Sequence, residues 1–371
     1  MTTSYVGGPY FDELTVGQVF DTAPAVTLTD GLAAAHQSIL GDRLRLPLDK
    51  HLSAAVAGGP VAHAGFVTDI AIGQSTLVTH HVKANLFYRG LRFRRFPHIG
   101  DTLYTTTEVV GLKENSAKPG RKPTGLAALR MNTVDQDGNT VLDFYRCAML
   151  PLSENPDPDR VVHADDLSAI GPQDEPQWSA PADWDLSVYR SKVPGEHFDK
   201  SLAGAVLQSS GDVVSSAPEL ARLSLNIAAT HHDERVGASG RLVYGGHTIG
   251  LAFSQATRAL PNLVTVLGWK SCDHTGPVQE GDTLTSDLHV ESAEPLAEGG
   301  GVLNLRSLVY AHRGGAANGD RGGAANGDRG GAANGDRGGA ANGDRGGAAN
   351  GDRGGAEPAP VLDWRFTALM A

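Results

Sequence analysis

Cysteine is nearly absent from this 371-residue chain: Cys147 and Cys272 stand alone, with no partner at metal-ligand spacing. Two isolated thiols argue against a disulfide framework and against a zinc or other metal site. Basic residues are in deficit, 31 Lys and Arg against 42 Asp and Glu, for a formal charge of −11. A general nucleic-acid binder needs the opposite balance, because phosphates are met by a basic surface. Any anionic ligand must therefore find a local basic patch. No run approaches the ~20 apolar residues of a membrane span. The first residues, Met-Thr-Thr-Ser-Tyr-Val-Gly-Gly, show no basic segment leading into an apolar core. The expected setting is the cytoplasm, with neither nucleic acid nor membrane as partner. A phosphate-cradling glycine loop, a nucleophile elbow and a metal-binding His/Glu pattern are also missing.

What is present is a hydrophobic fraction of 40% and enough length for two ordinary domains, each able to bury a core. The two are copies. Asp30 is placed to cap a helix through Ile39 and Leu40 that ends at Gly41-Asp42. A loop with Arg43, Arg45, Pro47 and Asp49 follows, then a buried helix from Val61-Ala-His-Ala-Gly65 through Ile72. Strand material runs from Ala84 to Phe96 and from Gly100 to Val110. A hairpin follows, Leu126–Val134 and Val141–Leu150 around Asp135–Asn139. The order then recurs. Phe198-Asp199 echoes Phe11-Asp12, and Ser216-Ala-Pro-Glu219 reads as a capping box opening a helix through Leu225. Val243-Tyr-Gly-Gly246 repeats Ala62-His-Ala-Gly65 at an offset of 181, as Gly-Asp-Thr-Leu284 repeats Gly-Asp-Thr-Leu103. Val361–Met370 repeats Val141–Leu150 at an offset of 220.

The jump between offsets locates an insertion of about 39 residues, where Arg-Gly-Gly-Ala-Ala-Asn-Gly-Asp occurs five times in tandem from Arg313. With no large apolar side chain the tract cannot offset its ordering entropy, so residues 313–355 are expected to be disordered and dispensable. The organisation expected is an α+β unit over 1–152, a Pro/Asp/Ser-rich linker over 153–182, and a second unit over 183–371 that carries the insertion.

Chemistry concentrates between Ser224 and Gly250. Three adjacent titratable residues, His231, His232 and Asp233, precede the pair Gly245 and Gly246, which opens an apolar helix. An acid/base group beside the free N–H donors of a helix start suits a developing oxyanion. The plain structural reading is a polar loop leading into a core helix. Elsewhere, Arg92 and Arg94 alternate onto one face of a strand and are candidates for meeting phosphates. His63 stands just before the first buried helix.

Residue by residue the chain resembles the MaoC-like dehydratases, which include the (R)-specific enoyl-CoA hydratases. Their site reads Gly-Asp-x-Asn-Pro-x-His-x-Asp, followed by Ala-His-Gly at the start of the central helix. Gly41-Asp42 and Asp49 match in the first half, with Pro47 where the histidine should stand. His231-His232-Asp233 matches His-x-Asp in the second half, with Asn226 at the aspartate position. The resemblance implies a double hotdog, each antiparallel sheet wrapped around a central helix. It implies (R)-specific hydration of a 2-enoyl-CoA at a second-half site with His231, Asn226 and Asp233 as the catalytic set. Tyr244, Gly245, Gly246, Asp42, His63, Arg92 and Arg94 would bind substrate, and the first half would keep a cavity that shapes the acyl pocket. Coenzyme A is then part of the substrate and no other cofactor is called for; homodimerisation is left open. The alternative is an acyl-CoA-binding protein with lost or weakened hydratase activity, which the broken motifs at Pro47 and Asn226 favour.

Overall fold

The computed structural model describes residues 7–313 and 359–371, apart from 118, 173, 175, 237–239 and 298. The octapeptide tract lies outside the described residues. Strands β1 to β6 are Val19–Phe20, Val26–Thr27, Ala84–Phe93, Thr102–Glu114, Thr124–Val134 and Thr140–Pro151. Strands β7 to β12 are Val206–Gln208, Asp212–Val213, Leu263–His274, Thr283–Pro295, Gly301–His312 and Leu362–Met370. Helices α1 to α7 are Asp30–Leu40, Arg45–Leu48, Lys50–Ala57, Ala64–Gln74, Leu186–Lys192, Ala217–Leu223 and Gly245–Ala259.

All strand pairs are antiparallel, and they form one continuous sheet in the order β1-β4-β5-β6-β3-β9-β12-β11-β10-β7, with β2 on β4 and β8 on β10. Each half is a hotdog, as the resemblance implies. The sheet β4-β5-β6-β3 curls round α4, and β9-β12-β11-β10 curls round α7. The halves join where β3 pairs with β9, from Phe87↔Asp273 to Arg92↔Gly268. β4 and β10 alternate buried and open residues along their length, the pattern of a sheet with one face on the core. α4 is buried on every side except Gly65, as a helix inside a curled sheet must be. Burying Phe66 and Ile70 completely contributes about 1.5–3 kcal/mol each.

The same device anchors both helices. Gln74 donates to the Leu103 carbonyl and accepts from Thr105 Oγ1; Gln255 donates to Leu284 and accepts from Ser286. These partners sit at the 181 offset, so the repeat extends to buried hydrogen bonds that keep polar ends of core helices satisfied.

Local details depart from the sequence reading. Thr29, not Asp30, caps α1 through Oγ1 to Leu32 N, and Gly41 ends it in the left-handed conformation at φ 67. The 43–49 loop is partly helical, and Asp49 caps α3 by accepting from His51 and Leu52 N–H. Ser216 makes no capping hydrogen bond because it takes φ 59; Glu280, from another loop, accepts from Ala217 N–H instead. α6 stops at Leu223, and Leu225 has φ 60. The linker is not free: Leu167 packs with Phe87, Ala128 and Cys147, and Arg89 Nη1 donates to the carbonyls of Leu167, Ser168 and Ile170. Among the described residues no helix is long and apolar enough to cross a membrane.

Candidate active site

The two helix starts differ, and the difference decides which half holds open chemistry. In the first half His63 caps α4: its Nδ1 accepts from Gly65 N at 3.0 Å and Phe66 N at 3.3 Å. Those N–H groups are therefore engaged. α7 begins at Gly245 after Tyr244 with no side-chain cap, leaving the positive end of the helix for a ligand. Both glycines are closely surrounded, so a side chain at either would force its neighbours to move. A Cβ on Gly245 would lie 2.7 Å from the His274 ring, and one on Gly246 would collide with the Asp69 carboxylate and the Tyr244 ring.

That open helix start borders a cavity of about 770 Å3, walled by both halves. From the second half come Asn226, His231, Tyr244, Gly245, Thr248 and His274; from the first come Thr76, Thr79, Tyr88 and Arg146. Lys83, Arg121 and Lys122 complete the wall with positive charge.

His231 ends the short 3-10 turn Ala229–His231. Its Nδ1 is 2.9 Å from the Leu242 carbonyl, which can only accept. Nδ1 therefore carries the proton and Nε2 keeps its lone pair. Burial, together with nearby His232 and Arg146, lowers its pKa to about 4 against the opposing pull of the Leu242 bond. The imidazole is thus neutral at pH 7. Its ring meets Tyr244 edge-on at 5.7 Å. Asn226 is buried and holds its Oδ1 on Ala228 N–H at 3.0 Å. His274 is driven to about 4 by burial and by His231.

The other expected residues go elsewhere. Asp233 leaves the catalytic set: Arg235, two residues on, grips both its oxygens at 2.9 and 2.7 Å. That pair lowers the Asp233 pKa to about 2 at the surface. His232 turns away and donates from Nε2 to the Asn226 carbonyl at 2.6 Å. Arg92 and Arg94 line a separate groove with Trp178 and Asp183, and Arg92 donates to the Asp174 carbonyl at 2.6 Å. Both face the linker and not the cavity, since the linker covers that stretch of strand.

Asp42, His63 and Gly246 belong to a second cluster between the helices. His63 Nε2 lies 3.2 Å from Asp42 Oδ1. His36 Nε2 is 3.0 Å from Asp69 Oδ2, and Tyr244 donates to Asp69 Oδ1 at 3.0 Å. The enclosed space is only about 30 Å3, because Phe253, Trp269 and Trp364 fill it. That is room for about one water. The first half lines the larger cavity through Thr76, Thr79, Tyr88 and Arg146, while its own motif residues Asp42 and His63 stand at this small space. His274, Arg146, Tyr88 and the 76–85 segment were missed by sequence reasoning. They lie on strands or turns distant in sequence, and only the β6-β3-β9 adjacency brings them to His231.

A neutral buried imidazole and an uncapped helix start sharing one large, mostly apolar cavity inside a pair of hotdogs define a site of the acyl-thioester hotdog class. Comparison with known proteins agrees. No family profile matches the chain. A conserved hypothetical protein from Mycobacterium tuberculosis, described as essential for bacterial survival during infection and as having a double hotdog fold, is 59% identical. The match covers 99% of this chain and 100% of that one, with a TM-score of 0.83. The structure of a MaoC domain protein dehydratase from Chloroflexus aurantiacus is 25% identical over 100% of this chain and 99% of that one, at TM-score 0.74. A β-methylmalyl-CoA dehydratase from Chloroflexus aurantiacus is 29% identical over 320 residues, 82% of this chain and 89% of the relative. The chain has the double-hotdog fold of that Mycobacterium tuberculosis protein and is a homologue of MaoC-like hydratases and dehydratases of CoA thioesters.

Proposed function

We propose that the protein catalyses the reversible, (R)-specific hydration of a 2-enoyl-CoA in the second-half cavity. The observation that carries this reading is the uncapped start of α7 beside the unprotonated Nε2 of His231. In the hydration direction a water gives a proton to His231 Nε2 as its oxygen bonds to the β-carbon. Charge moves to the thioester oxygen, which rests on the N–H of Gly245 at the uncapped start of α7. The imidazolium then returns a proton to the α-carbon. Asn226 orients the water but cannot take its proton. Lys83, Arg121 and Lys122 supply the local basic patch for coenzyme A phosphates that the acidic chain requires. A relative named as a dehydratase of a CoA thioester supports the carrier and the reaction type.

The test is loss of the conjugated-thioester absorbance with a panel of 2-enoyl-CoAs, chiral analysis of the product, and binding measured in parallel. Hydration to the (S) alcohol would remove the stereochemical part; binding without turnover would leave a second reading. That reading is an acyl-CoA-binding protein, favoured by Asn226, whose Oδ1 is already committed to Ala228 N–H.

A further inference from the structure

The oxyanion site at the start of α7 has one backbone donor, Gly245 N–H, because Gly246 borders the small space between the helices and not the large cavity. A site that holds a developing oxyanion is stronger with a second donor aimed at the same oxygen. The side chain pressed against Gly245 is that of His274, the last residue of β9. A Cβ on Gly245 would first meet this ring, with Cε1 and Nε2 both at 2.7 Å. His274 lines the cavity, and its Nε2 is buried with no hydrogen-bond partner among the described residues. Tyr88 meets the ring edge-on at 6.0 Å and so braces its plane. With its pKa lowered to about 4 by burial and by His231, the ring is neutral at pH 7 and carries one N–H donor. A buried nitrogen without a partner costs stability and calls for an explanation.

The internal repeat shows that the fold does not need an imidazole there. The junction of the halves obeys the 181 offset: applied to Phe87↔Asp273 it gives Gly268↔Arg92, which is an observed pair. Under the same offset His274 answers to Phe93, and Gly245 to Ala64. Phe93 stacks on Phe96 at 5.0 Å and borders the small filled space at the start of α4. The self-capped helix start thus has a methyl and a phenyl ring beside it, and the open one has a glycine and an imidazole. The two exchanges go together, since a methyl at position 245 would collide with the His274 ring.

We propose that His274 is a catalytic residue, whose Nε2–H donates to the thioester oxygen beside the N–H of Gly245 and completes a two-donor oxyanion site. The inference rests on the reading of the cavity as an enoyl-CoA hydratase site. It divides the labour between two imidazoles. His231 exchanges protons with water and the α-carbon, while His274 keeps its own proton throughout. A neutral imidazole suits the second role, because it can polarise a carbonyl without giving its proton away.

The carbonyl of bound butyryl-CoA, a thioester that cannot be hydrated, reports these donors without turnover when its band is read by isotope-edited infrared spectroscopy of the full chain. The band is expected at lower frequency than in free butyryl-CoA. His274→Phe, which installs the ring of the other copy, should lose much of this displacement while affinity stays within a few-fold. His274→Gln keeps a donor but no base, and should retain most of it. With crotonyl-CoA, kcat should fall on the order of 10²–10³-fold in His274→Phe at nearly unchanged KM, and His274→Gln should recover a large part. Melting of each variant reports whether it folds. No displacement in the wild type overturns the proposal whatever the variants do. The same displacement in folded His274→Phe also overturns it. So does a folded His274→Gln as inactive as His274→Phe, which would make the imidazole a proton carrier. A displacement that depends on His274, with no turnover of any enoyl-CoA, keeps the donor pair and sinks hydration. Hydration of crotonyl-CoA that is indifferent to His274 does the reverse.

Discussion

The phenol of Tyr244 donates to the carboxylate of Asp69 at 3.0 Å, joining the residue that precedes one hotdog helix to the middle of the other. Asp69 also meets His36 Nε2 at 3.0 Å and is buried, so three elements converge on one carboxylate. Burial and Asp69 together hold the Tyr244 phenol well above its ordinary pKa. It stays a donor throughout the physiological range.

Asp69→Asn keeps the shape but presents an NH2 where one donor now points. Such a change inside a buried network costs about 1–3 kcal/mol. Tyr244→Phe is expected to cost less, and the double variant less than the sum of the two. Denaturant unfolding of the four proteins measures the coupling; strict additivity would mean that the bond does not join the halves energetically.

His231→Ala is expected to abolish hydration while leaving acyl-CoA affinity within a few-fold. Because burial holds the His231 pKa at about 4, the base is unprotonated across neutral pH. The kcat/KM profile should therefore be flat from about pH 6 upward and fall only as pH drops toward 4. An acid limb centred near 6.5 in the wild type would refute this assignment of the base.

Three imidazoles, those of His231, His247 and His274, have folded pKa values lowered to about 4 chiefly by burial. Each binds a proton more readily in the unfolded chain, near ~6.5. Their contribution to stability is complete above that value and is lost as pH falls toward 4, by up to roughly 3 kcal/mol per imidazole. The unfolding midpoint should drop steeply between pH 6.5 and 4.5. His247→Phe should blunt the drop, and an unchanged slope in that variant would remove His247 from the account.

Asn226→Asp restores a proton-accepting group at the position where the family has one. Ala228 N–H, already bonded to Oδ1, remains to stabilise the carboxylate. General acid/base participation is worth about 10²–10⁴-fold, so the gain in hydration rate should be unmistakable. A folded variant that binds enoyl-CoA yet gains nothing would favour the binding-protein reading.

Deleting Gly314 to Arg353 should leave melting and ligand binding nearly unchanged, since loop length adds little closure cost. β11 and β12 are paired from Gly301↔Met370 to Val309↔Leu362 independently of the tract. A melting temperature lower by many degrees would show the opposite.

The fold was legible because duplication prints the same buried requirements twice: the 181 offset predicts the partners of Gln255 from those of Gln74. His231 and the glycine pair were legible because one short motif holds them. Asp233 misled for a local reason, as an arginine two residues away captures its carboxylate more cheaply than any distant partner. Ser216 looked like a cap because its neighbours fit, yet its left-handed backbone turns the hydroxyl away. Arg146 and His274 could not be read at all. Their meaning comes from which strands become neighbours, a property of the closed sheet and not of any local window.

The pairing of β3 with β9 across the junction of the halves has an evolutionary consequence. In an assembly of two identical hotdogs, any substitution appears on both sides of the junction, so one pocket cannot be closed without closing its twin. Covalent linkage of the two units lifts that constraint. One pocket is then free to fill with aromatic rings, as the space at the self-capped start of α4 has done with Phe253, Trp269 and Trp364 of the second half. The other can specialise, and the first half survives as the rigid wall against which that specialisation is built.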